Sequence, residues 1–117
     1  MLPHAQTAVL FGALDVGVVY LRDTPYGRYS FPQKAYEMAA CGVPVAVARV
    51  GAMATLFADW PQALYEPDDA VSLAACLEDQ LARPQIPELE IPDWAELAGR
   101  MDAAYLTCAA RSARSPA

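Results

Sequence analysis

The stretch Phe31-Pro32-Gln33-Lys34-Ala35-Tyr36-Glu37-Met38-Ala39-Ala40-Cys41-Gly42-Val43-Pro44-Val45-Ala46-Val47 decides the fold. Pro32 suits a first helical turn, where its missing N–H costs nothing. Residues 33–41 are mostly helix-forming, Gly42 supplies the stop, and Pro44 opens the apolar run Val45 to Ala48. A strand apolar on both faces belongs inside a parallel sheet covered by helices. In such sheets ligands bind beyond the carboxyl ends of the strands, where the next helix begins. The loop from Leu21 to Phe31 lies in that place, after a strand ending near Tyr20. Spacing alone is equally consistent with a plain surface connection.

Outward from this core, His4 to Leu14 reads as a helix with Val9, Leu10 and Ala13 on its inner side, followed by a strand from Val16 to Leu21. Beyond the second strand, Pro44–Ala48, a helix from Ala52 to Ala58 carries Met53, Leu56 and Phe57 at helical spacing. Gln62 to Glu66 is a short third strand. Asp68 or Asp69 caps a helix to about Ala82, with Val71, Ala74, Leu77 and Leu81 on one face. Residues 83–92 hold three prolines and read as an extended surface connection. Asp93 then caps an amphipathic helix whose stripe of Trp94, Leu97, Met101, Ala104, Tyr105 and Cys108 is expected to pack on the chain's own core. The tail from Arg111 is polar and expected to be disordered. Strand-helix-strand-helix-strand-helix order predicts an α/β fold with right-handed crossovers and a parallel, three-layer arrangement.

With 117 residues the chain is one domain, able to bury about 65% of its unfolded surface. No apolar run approaches the roughly 20 residues needed to cross a bilayer, and no charged-then-apolar secretory start is present, so a cytoplasmic location is expected. Three cysteines, Cys41, Cys76 and Cys108, form no Cys-x-x-Cys pair and read as small buried apolar residues. A net charge of −6 leaves no basic stripe for nucleic acid. Arg22, Arg28, Lys34 and Arg49 nevertheless gather near the ligand side of the sheet, where they could bind phosphate or merely solubilise. One histidine, His4, cannot assemble a Ser/His/Asp triad or a metal centre, so no catalytic residue is assigned.

Several pieces occur in an order and spacing that resemble a known family. They are Leu2-Pro3-His4 leading a helix into Ala13–Val19, the loop Pro25–Lys34, the core Glu37–Val45, the turn Val50-Gly51-Ala52 and the segment Leu64–Asp69. Residues from about Pro3 to Ala109 are similar to the later part of the C-terminal, nucleotide-sugar-binding domain of GT-B glycosyltransferases of family 4, the retaining "group 1" type. The resemblance implies a Rossmann-like partial donor domain over residues 1–110, with 111–117 a tail. The acceptor-binding domain and the opening strands of the donor domain have no counterpart in the chain. No metal or other cofactor is implied.

The same resemblance implies a site. Glu37 matches the second glutamate of the family's glutamate–seven residues–glutamate motif and would accept hydrogen bonds from ribose hydroxyls, as a carboxylate can take two at once. Read without the family, it is an exposed helix residue or a partner for Lys34. The first glutamate falls at Tyr29, a departure that removes a charged acceptor from the donor sugar. Ser30-Phe31-Pro32-Gln33-Lys34 follows a Ser/Thr-x-Pro-x-Lys variant of this loop, which implies that Ser30, Phe31 and Lys34 face the donor's phosphate and sugar at a helix start. Gly51 with Ala52 stands in for a Gly-Gly turn and reads as backbone geometry. The expected ligand is a nucleotide-diphosphate sugar, and the isolated chain is expected to transfer no sugar. The alternative is a non-catalytic, self-associating α/β module. A receiver-like domain would want clustered acids that Asp15 and Asp23 alone do not supply. On either of the first two readings, uncovered edge strands and helix faces lead to an expected homo-oligomer.

Overall fold

The computed structural model describes residues 3–113. Its elements are α1 (His4–Gly12), β1 (Gly17–Val19), α2 (Pro25–Tyr29), α3 (Lys34–Ala40), β2 (Val45–Ala48), α4 (Gly51–Leu56), a 3-10 turn (Pro61–Ala63), β3 (Leu64–Tyr65), α5 (Ala70–Ala82) and α6 (Trp94–Ala113). The strands form one parallel sheet in the order β1-β2-β3. Gly17 is in register with Val45, and Val47 with Leu64. The fold is α/β, as the sequence predicts.

β2 is buried at all four positions because both its faces are covered. Val45 and Val47 pack with Ala35 and Met38 of α3, Met53 of α4, and Phe57. Ala46 and Ala48 face the other way, toward Cys76 and the half-buried Leu73 and Leu77 of α5. Met53 and Phe57 are fully buried, each contributing about 1.5–3 kcal/mol by leaving water. Gly42 ends α3 at φ 72°, the left-handed conformation of a helix stop. Asp69 caps α5, its Oδ1 accepting from the backbone N–H of Val71 and of Ser72.

Gln80 is the one buried polar side chain among the described residues, at 1% exposure. β3 pairs with β2 only from Val47 onward, so the Val45 carbonyl is left without a strand partner on that side. Gln80 Nε2 donates to it at 3.2 Å, and its Oε1 accepts from Gln85 N at 3.0 Å. An amide has both a donor and an acceptor, and here both are used.

Several expectations are corrected. α1 turns inward through Thr7 and Phe11, while Val9, Leu10 and Ala13 are exposed. The Leu21–Phe31 loop contains a short helix, α2. α5 buries Cys76 and Gln80, whereas Val71, Ala74 and Leu81 point to solvent; of the expected face only Leu77 is half-buried. Cys76 is buried and Cys41 half-buried, but Cys108 is exposed. α6 does not lie on the core: Leu97 is half-buried and every other residue from Trp94 to Ser112 is exposed. The tail expected from Arg111 is helical through Ala113, and its remainder, with Met1 and Leu2, lies outside the described residues. The reason is common to the three helices. Periodicity sets the angular spread of apolar residues but not which neighbour covers them, and beyond Leu97 no described residue covers the apolar side of α6.

Among the described residues β1 pairs with β2 alone, and its Val18, on the same face as Ala46, lies beyond the reach of α5 and stays 41% exposed. Among the described residues no helix is long and apolar enough to cross a membrane.

Candidate functional site

A cavity of about 810 Å³ opens where β1 ends. Tyr20 and Leu21 leave the strand and the chain turns at residues 22–24, with Thr24 N donating to Arg22 O at 2.9 Å. Thr24 then caps α2, its hydroxyl accepting from Gly27 N at 3.2 Å, with Pro25 at the first helical position. Ser30 returns to extended backbone, its hydroxyl donating to Tyr26 O at 2.8 Å. Phe31 and Pro32 carry the chain into α3. The result is a rim of aromatic rings, Tyr20, Tyr26, Tyr29 and Phe31, with Lys34 among them.

The α2 loop is held from beneath by the junction of β2 and α4. Gly51 has φ 52°, and a Cβ built there would lie 2.2 Å from the Arg28 carbonyl oxygen. Only a glycine lets these two backbones touch, so the expectation of a geometric role at Gly51 agrees with its place.

Electrostatics separate the four cations near the cavity. Arg28 is fixed to Asp23 by two bonds, Nε to Oδ1 at 2.6 Å and the terminal nitrogen to Oδ2 at 3.1 Å. Arg49 Nε sits 2.9 Å from Glu66, and Arg22 Nε 3.8 Å from Asp68. Lys34 alone has no carboxylate partner among the described residues. The guanidinium of Arg28 holds the Asp23 carboxyl below its ordinary pKa, and Asp23 raises that of Arg28. Tyr20 donates to Asp68 Oδ1 at 2.9 Å, and this bond, with some desolvation and the Asp68 charge, pushes the phenol up. Every cation expected to meet phosphate except Lys34 is therefore already matched.

Of the residues expected in the site, Tyr29, Ser30, Phe31 and Lys34 line this cavity. Tyr29 is 91% exposed, its phenol free of hydrogen bonds among the described residues. Glu37 does not line it. Its carboxylate, exposed and without a bond to Lys34 or any other described residue, faces a neighbouring groove of about 500 Å³ beside Tyr36, Asp93, Trp94 and Leu97. Phe31 is the shared wall, its ring 5.3 Å from that of Tyr36 and tilted by 32°. α3 has seven residues, so the charge its dipole brings to Ser30 and Phe31 is that of a short helix.

Tyr20, Tyr26 and Trp94 were not legible as site residues. Thr24-Pro25, a cap followed by a proline, was the available signal that the loop folds into a helix and turns Tyr26 and Tyr29 to one side. The arrangement offers stacking faces, one unmatched ammonium and, across Phe31, an unmatched carboxylate. It can bind a ligand with planar and anionic parts, and among the described residues it contains no paired nucleophile and base.

Comparison of the chain with protein-family models, with curated proteins and with solved structures finds no match.

Proposed function

We propose that this chain is the donor-binding part of a retaining glycosyltransferase, a partial Rossmann-like GT-B domain that holds a nucleotide-diphosphate sugar and does not transfer sugar by itself. The observation that carries the reading is the cavity beyond β1, which collects Tyr29, Ser30, Phe31 and Lys34 around one unmatched ammonium. The diphosphate lies against Lys34 and the nucleoside crosses Phe31, so that the ribose reaches Glu37 in the adjoining groove. Lys34 then supports the charge that grows on the leaving diphosphate, a positioning and electrostatic role. Tyr29 offers the sugar a phenol where the resembling family has a carboxylate.

Titration calorimetry with UDP, GDP and ADP tests this on the whole chain. One of them should bind, and at a hundred times its Kd it should add about 2.7 kcal/mol of stability. Lys34→Ala should weaken binding, and Glu37→Gln should cost about 1.5–3 kcal/mol, as for hydrogen bonds to a charged acceptor. Wild-type affinity in Glu37→Gln removes the ribose assignment. Absence of binding by all three nucleotides removes the donor reading.

The second reading, a self-associating module without chemistry, is favoured by the pairing of Arg22, Arg28 and Arg49 with carboxylates and by the open face at Val18.

A further inference from the structure

α6 is a helix of 20 residues whose apolar side is exposed except at the half-buried Leu97. Its residues Trp94, Leu97, Met101, Ala104, Cys108 and Arg111 recur at alternating spacings of three and four, the seam of a two-helix coiled coil. We infer that α6 pairs with α6 of a second copy of this chain, antiparallel and about a two-fold axis between Met101 and Ala104. The inference does not rest on a ligand, although Asp93, Trp94 and Leu97 also border the groove that holds Glu37.

Three features of the seam choose the second copy and the antiparallel sense. The first is size. In an antiparallel pair centred there, Met101 meets Ala104 of the other copy and Leu97 meets Cys108, a large residue against a small one at each layer. A parallel pair would set Ala104 on Ala104 and leave a gap. The second is charge. Asp93 and Glu96 stand at the start of the helix and Arg111 at its end. Antiparallel pairing lays Arg111 of each copy over the Trp94 ring and beside Asp93 of the other. A parallel pair would instead face Arg111 with Arg111, a buried like-charge contact. The third is closure. The same surface is used by both copies, so the interface satisfies itself and stops at two. The remaining cation of the helix, Arg100, is bound within its own chain to Glu90 and Glu96 and does not disturb the seam.

Sedimentation velocity over a concentration series, together with thiol oxidation, tests both the pairing and its direction. The whole chain should sediment as a dimer at the upper concentrations. Met101→Glu should raise the dissociation constant by roughly tenfold or more, since it puts a charge into each central layer. Leu97→Cys should give a disulfide-linked dimer joined to Cys108 of the second copy, identified by peptide mapping and abolished by adding Cys108→Ser. Wild-type protein under the same oxidation should give no Cys108–Cys108 link. A monomer at every concentration, a dimer indifferent to Met101→Glu, or a Cys108–Cys108 link would each overturn the inference. Circular dichroism of Met101→Glu at the same concentration confirms that loss of the dimer is not loss of the fold.

Discussion

Replacing Gln80 tests how the sheet is completed on its β3 side. In Gln80→Leu the shape is nearly kept, but the Val45 carbonyl loses its donor at 3.2 Å. Val45 is fully buried, so water cannot serve as a substitute, and an orphaned acceptor of this kind costs about 1–3 kcal/mol. Gln85 is exposed, so its N–H, which loses the Oε1 acceptor, turns to water at little cost. The added apolar surface offsets about 1 kcal/mol. The expected net loss is up to about 2 kcal/mol, read as a fall of as much as roughly 10 °C in Tm for a domain of this size. Gln80→Glu separates the bond from the packing. A carboxylate there can only accept, and it would face the Val45 oxygen with a negative charge. The protonated acid can donate in place of the amide. Its pKa in the fold is therefore raised above the unfolded value of about 4.3, and the stabilising bond is present below that value and lost as pH rises through the folded one. Urea unfolding of wild type and Gln80→Glu should show a gap that is smallest in acid and widens toward neutrality. A Gln80→Leu protein clearly more stable than wild type, or a Gln80→Glu gap that does not change with pH, would refute the assignment of Gln80 as the missing ladder partner.

Asp69→Ala removes the oxygen that caps two N–H groups of α5, and urea unfolding should register a loss of about 1 kcal/mol. Gly51→Ala forces a left-handed backbone on a residue with a Cβ, costing about 1–2 kcal/mol, and its contact with the Arg28 carbonyl adds to this; the melting temperature should fall and any nucleotide affinity should fall with it. Asp23→Asn should change stability little at neutral pH because the pair with Arg28 is exposed. Since Arg28 lowers the Asp23 pKa, the contribution is present above the ordinary value of 3.8 and disappears as pH falls through the lower folded value, which an NMR titration of the carboxyl would follow.

Where one short-range cause decides an element, the sequence was readable. Asp69 caps α5, Gly42 stops α3, and Val45–Ala48 is buried on both faces because nothing in it could face water. What failed were judgements of which side a helix turns. Val71 and Leu81 have the spacing of an inner face, yet the tie between Gln80 and Val45 rotates α5 so that they point outward. The site was half legible for a related reason. Ser30 and Lys34 follow from the local motif. The removal of Arg22, Arg28 and Arg49 into ion pairs depends on Asp68, Asp23 and Glu66, and two of these three are far along the chain. Glu37 was placed with its loop neighbours by the family resemblance, whereas it borders the groove on the other side of Phe31.

The sheet has a further consequence in time. Every strand pair is parallel, so no hairpin can start it. β2 reaches β3 across the shorter loop, from Val47 to Leu64, whereas β1 must find β2 across the longer one, from Gly17 to Val45. Loop closure grows dearer with length, and β1 has one partner strand and a Val18 face left open. The β2–β3–α5 unit should therefore assemble first and β1 dock onto it last. By the same reasoning β1 should be the first strand to let go, and amide exchange at Val18–Leu21 should be faster than at Val45–Val47. The aromatic cavity hangs from the end of that last strand, so a ligand bound there would act chiefly as a latch on the slowest and most reversible step of folding.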